Sequence, residues 1–161
     1  MIDIDLRSLL ADSQIEALLR ILAAGVAGVV IGFEREMEHK PAGARTYGGV
    51  AMGSATFTVV GILAFGDGDP ASRVAAQIIT GIGFLGAGTI IHMRGRIVGL
   101  TTAAGLWMTA AIGMALGSGL WIIGIGATVA ILLLLRLIRP EWLVGRDPNE
   151  FPEADGEKRE E

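Results

Sequence analysis

IVGLTTAAGLWMTAAIGMALGSGLWIIGIGATVAILLLL, residues 97–135, is a run of 39 residues without one Asp, Glu, Lys, Arg or His. A soluble core has no need of such a run. A hairpin through a bilayer does, because each crossing takes about 20 apolar residues. Gly117-Ser118-Gly119 breaks the run into two apolar halves with turn chemistry between them. Working outward, no Asp or Glu stands between Asp69 and Glu141. Over all 161 residues the chain is 52% apolar and 19% charged, with a mean hydropathy of +0.56. Soluble domains carry about 25% charged residues. The chain therefore reads as a polytopic membrane protein.

The same logic extends to the remaining apolar stretches. Five spans are predicted, over residues 17–33, 47–65, 74–91, 97–116 and 120–138. They are too long and too continuous for barrel strands and lack period-2 alternation, so the fold class is all-α, a transmembrane helix bundle. The 24 glycines, about twice the usual share, suit helices that pack backbone to backbone in lipid. No cysteine is present, which excludes disulfides and thiolate metal sites. The first five residues, MIDID, are acidic where a cleavable secretory signal is basic. Residues 1–139 are expected to form the membrane domain. Residues 140–161, acidic and interrupted by proline, are expected to be a disordered tail. The net charge of −4 averages that tail with a basic margin, and no internal repeat is evident.

Basic residues set the expected orientation. Arg35, Lys40, Arg45, Arg94, Arg96, Arg136, Arg139 and Arg146 fall on one side, and Arg7, Arg20 and Arg73 on the other. Eight against three predicts an outside N-terminus and a cytoplasmic C-terminus. Arg20 lies within the first span, with Glu16 four residues back to pair with it and the outer interface within snorkelling reach. Trp121 and Trp142 fall at opposite interfaces as belt residues. Trp107 falls mid-span, as a packing anchor or a pocket wall.

TGIGFLGAGTII, residues 80–91, holds a G-x-G-x-x-G at Gly81, Gly83 and Gly86. A dinucleotide site needs an acid about 20 residues on for the ribose, and none is there. Two readings stay open. One is close helix packing, with Gly83 and Ala87 one turn apart, as are Gly28 and Gly32, and Gly49 and Gly53. Thr101, Gly105, Thr109, Gly113 and Gly117 extend that pattern into a ladder. The other is a third span unwound at its glycines, with carbonyls freed toward a cavity.

GFEREMEHKPAGART, residues 32–46, gathers seven ionisable groups at one margin. Pro41 disfavours helix at Lys40, so the first helix is expected to stop there. Three roles fit the acids: ordinary surface pairing with Arg35, Lys40 and Arg45, a structural lock in the bundle, or oxygen ligands for a hard cation. Glu34, next to the apolar span, is the acid expected to be part-buried. Glu34 and Glu36 are the candidate metal ligands, and Mg2+ is the one cofactor considered; otherwise none is expected. His39 and His92 are too isolated for a metal site, and no nucleophile and base pair up for catalysis, so no enzyme is expected.

With GFEREMEHKPAGARTY (residues 32–47), GIGFLGAGTII (81–91) and VGLTTAAGLWMTAAIGMALGSG (98–119), the chain resembles the MgtC/SapB family of bacterial inner-membrane proteins. It departs from the usual pattern at Ala44, where Leu is typical, and at Tyr47, where His is typical. The resemblance implies a regulator that acts through membrane partners, including the ATP synthase, in growth at low magnesium and, in pathogens, survival in macrophages. Direct magnesium or other cation transport is the alternative. Some members carry a folded cytosolic domain after the last span, and roles seated there are not carried over. The positions the family pattern marks are Glu34, Arg35, Glu36, Lys40, Pro41, Arg45 and Thr46, then Gly83, Gly86, Gly88, Thr101, Thr102 and Trp107. Expected partners are the lipid bilayer, other membrane proteins and a second copy of the chain, with no nucleic acid.

Overall fold

A computed structural model describes residues 6–65, 69–93 and 96–137. The five expected spans correspond to five helices: α1 (Leu6–Met37), α2 (Ala44–Phe65), α3 (Asp69–Gly88), α4 (Leu100–Gly117) and α5 (Trp121–Leu137). Ser13–Met37 within α1, together with α2 and α4, is long and apolar enough to cross a membrane, and α5 is a shorter apolar helix of 17 residues. The expected tail at 140–161 lies outside the described residues, as do Arg94, Arg139, Trp142 and Arg146.

The large apolar side chains point outward, as lipid solvent requires. Ile122 is 90% and Phe84 83% exposed, and Val26, Phe57, Trp107 and Leu137 are also exposed. In water that much exposed apolar surface is an aggregation hazard; in a bilayer it is the wetted face. The interior is correspondingly small and partly polar: Ala24, Ala51, Ala55, Ala110, Ser54, Thr102 and Thr109 are buried alongside Ile31, Tyr47, Leu106 and Leu116. Four threonine hydroxyls are satisfied within their own helices. Those of Thr56, Thr58, Thr109 and Thr128 each donate to the carbonyl four residues back, at 2.8 Å.

Glycines decide how closely the helices approach. α2 and α4 run parallel as the central pair, with Gly105 against Tyr47, Gly113 against Ala51 and Gly117 against Ala55. A Cβ at Gly105 would lie 2.5 Å from the Tyr47 hydroxyl, and one at Gly117 2.8 Å from the Ala55 carbonyl oxygen. α1 crosses α2 antiparallel, with Gly28 over Tyr47 and Gly48, and Gly32 over Ala44. α4 touches all four other helices, while α3 leans on α2 and α4, and α5 on α4 and α1. The ladder read in the sequence is thus real from Gly105 onward, but its first member, Thr101, is exposed.

The glycine motif of α3 behaves differently from either expectation. The helix stays regular through Gly88, so it is not unwound. Only Gly86 faces a neighbouring helix, and loosely: an added Cβ would make an ordinary contact with the Ala103 Cβ of α4, at 3.6 Å; Gly81, Gly83 and Gly88 have no neighbour within 4 Å of an added Cβ. Gly83 and Ala87 form no packing seam within the chain, and neither do Gly49 and Gly53.

The boundary between the third and fourth spans is also corrected. Residues 91 and 97–98, read as span ends, form a two-stranded antiparallel ribbon, β1 (Ile91–Met93) with β2 (Arg96–Val98). β-branched Ile91, Ile97 and Val98 suit strands, and a short apolar run does not distinguish helix from strand by periodicity. Gly99 then enters α4 at φ 95°, where a Cβ would collide with the Thr89 carbonyl. No residue with a side chain fits that position without strain.

Candidate functional site

The hinge between α1 and α2 is built from backbone closure first. His39 N–H donates to Glu36 O and Lys40 N–H to Arg35 O, both at 3.0 Å, with His39 left-handed at φ 53°. This pair of bonds is a Schellman closure, which satisfies the last carbonyls of α1 and ends the helix at Met37, ahead of Pro41. The chain then turns through Ala42 and Gly43 and starts α2 at Ala44.

Side chains lock that turn. Arg35 is 4% exposed and grips Glu34 with a two-pronged contact, Nε to Oε2 at 2.5 Å and Nη2 to Oε1 at 2.8 Å. The Glu34 side chain is 19% exposed, as expected for the acid nearest the span. A buried guanidinium needs such a fork, because an unpaired charge there is costly. Glu36 Oε2 accepts the Ala44 N–H at 3.2 Å, capping the start of α2 from eight residues upstream. A carboxylate there also meets the positive end of the α2 dipole. Replacing Glu36 with Ala removes both effects and is expected to cost about 1 kcal/mol, read as a lower melting temperature in detergent, with Glu36→Gln recovering part of the loss.

The hinge reaches α4 through Tyr47. Its side chain is fully buried, its ring lies over Gly105, and its hydroxyl donates to the Thr102 carbonyl at 3.4 Å. Of the positions marked in the sequence, the structure therefore pairs Glu34 with Arg35, sets Glu36 separately on the start of α2, and ties Thr102 to the hinge through Tyr47. Lys40, Pro41, Arg45 and Thr46 are exposed and, with Glu36, line an open pocket of about 460 Å3. Trp107 is not part of this site; it is exposed and walls a groove between α3 and α4 with Ile79, Ile82 and Met114. Gly83 and Gly88 are exposed and contribute no contact to it. Tyr47 is the residue that sequence reading undervalued. Its signal was the i,i+4 series Tyr47, Ala51, Ala55, which repeats the step of the α4 glycines.

At the other end of the bundle, Arg20 is paired with Glu16 and directs Nη1 to the Gly117 carbonyl at 3.4 Å. It thereby clamps the α4–α5 turn at Gly119 rather than only snorkelling.

Residues 21–141 match the MgtC family. The chain belongs to that family. It is 46% identical over 129 residues to the putative magnesium transporter YhiD of Escherichia coli, covering 76% of this chain and 60% of that protein. To protein MgtC of Brucella abortus it is 48% identical over 120 residues, covering 74% of this chain and 50% of that one. To protein SrpB of Synechococcus elongatus it is 45% identical over 141 residues, with 77% and 78% covered. The chain thus spans between half and two thirds of the first two relatives. No solved structure matches. MgtC-family membership and the apolar helices together make this a membrane protein.

Proposed function

We propose that this MgtC-family chain is a non-enzymatic regulator of the bacterial inner membrane, acting through its hinge margin on other membrane proteins under magnesium limitation and virulence-type stress. The ATP synthase is a partner implied by family resemblance, and the excess of basic residues supports a cytoplasmic side for the hinge. The observation that carries the reading is that both candidate acids are already engaged. Glu34 is held by Arg35 and Glu36 caps α2, so the lock presents a rigid platform of Lys40, Pro41, Arg45 and Thr46 outward. A preorganised polar rim favours docking, since little entropy is lost on binding.

The test is pull-down of the full chain in mild detergent with the double substitution Lys40→Glu and Arg45→Glu. Both residues are exposed, so folding is spared, whereas Glu34→Ala would strand the buried Arg35 and confuse the result. Recovery of partner proteins is expected to drop with the elution profile unchanged, because like charges across an interface are strongly unfavourable. Undiminished recovery would remove the hinge from the docking surface.

Transport is the second reading, favoured by the description of the YhiD relative as a putative magnesium transporter. It requires Glu34 or Glu36 to leave its present partner and work with Thr101 and Thr102. Purified chain in liposomes carrying magnesium or a monovalent cation down a gradient would support it; no flux leaves the regulator ahead.

A further inference from the structure

The hinge pocket does not stand alone. Arg45 and Thr46, which line it, also line one end of a second cavity, a cleft of about 750 Å3 between α2 and α3. The cleft floor is glycine, at Gly49, Gly53 and Gly81, and each has open space where a Cβ would stand. Its walls are mainly apolar, and it reaches Phe57 at the far end. From Arg45 to Phe57 α2 rises about 18 Å, close to the roughly 15 Å hydrocarbon depth of one leaflet. Two cavities thus meet at Arg45, one apolar and of leaflet length, the other polar and at the membrane margin. Arg45 and Lys40 have no ion pair among the described residues. The acid beside them, Glu36, is committed to the Ala44 N–H. Arg73 lines the opposite end of the cleft; the polar pocket adjoining Arg45 decides which end takes a headgroup.

We propose that the α2–α3 cleft and the hinge pocket together bind one anionic glycerophospholipid, an acyl chain along Gly49, Gly53 and Gly81 and its phosphate at Arg45 and Lys40. The chemistry of the two cavities matches an amphiphile with a negative head, and neither cavity alone accounts for the other. Lys40 and Arg45 also belong to the proposed docking platform, but a lipid assay that contains no partner protein reads the binding apart from that reading.

The test is native mass spectrometry of the full chain, delipidated in neutral detergent and offered phosphatidylglycerol or phosphatidylcholine with identical acyl chains. One phosphatidylglycerol per chain is expected to be retained over phosphatidylcholine. Arg45→Gln should reduce that preference by roughly fivefold, the effect of one basic residue near an anionic headgroup. Gly53→Leu, which fills open space and keeps the helix, should lower retention of both lipids. Inorganic phosphate should not displace the lipid. Equal retention of the two lipids by the unsubstituted chain overturns the proposal, as does a preference that neither substitution moves. Displacement by inorganic phosphate would assign the pocket to a free anion instead. A dimer that Gly53→Leu dissociates would assign the cleft to a second copy, and either result also overturns it.

Discussion

Gly113→Leu is expected to dismantle the centre of the bundle. Even the first carbon of the new side chain falls on the Ala51 carbonyl oxygen, and it sits 3.0 Å from the Ser54 Cβ. The obstacle is backbone, not the movable end of a side chain, so α2 and α4 must separate along their whole seam. Overpacking a well-filled interior costs about 1–3 kcal/mol where side chains can shift, and a rigid backbone contact puts this case at or above the top of that range. Melting followed by size exclusion in detergent should show loss of the monodisperse species. Gly53→Leu and Gly126→Leu make the same chemical change where no atom lies within 4 Å, and both should melt near the unsubstituted chain. If all three variants behave alike, the close α2–α4 seam is wrong.

Tyr47→Ala carries the second large effect. The side chain fills the junction of α1, α2 and α4 and is fully buried. Truncation leaves a cavity that the glycines around it have no side chains to fill. Large aromatic truncations cost about 3–5 kcal/mol in soluble cores. Here the unfolded reference is itself in lipid, which removes part of the transfer contribution and leaves mainly lost packing. A loss on the order of 2–3 kcal/mol is expected. Tyr47→Phe keeps the ring and gives up one long hydrogen bond to Thr102, costing less than about 1 kcal/mol. The two variants therefore separate shape from hydrogen bonding. Equal destabilisation by both would mean that the hydroxyl, not the ring, holds the hinge to α4.

Much of the molecule follows from composition and spacing alone. Lipid offers no hydrogen bonds, so long uncharged runs must become helices, and their number, order and hinge position can be counted along the chain. The i,i+4 glycine spacing of α4 identifies a packing face for the same reason: every fourth residue returns to one side of a helix. Residues 91 and 97–98 were misread because β-branched apolar residues satisfy a strand as well as a helix end.

Which glycine faces find a neighbour is a different kind of information. Gly113 and Gly53 are alike in sequence, each set in a small-residue repeat, yet one meets the Ala51 backbone and the other an open cleft. Arg35 could be marked as important by its motif, but its burial, and its choice of Glu34 over every other acid of the hinge, depend on where α1 ends above α2. Periodicity fixes the direction of a side chain about its own helix axis. Only the arrangement of neighbouring helices settles whether protein, lipid or a cavity lies in that direction.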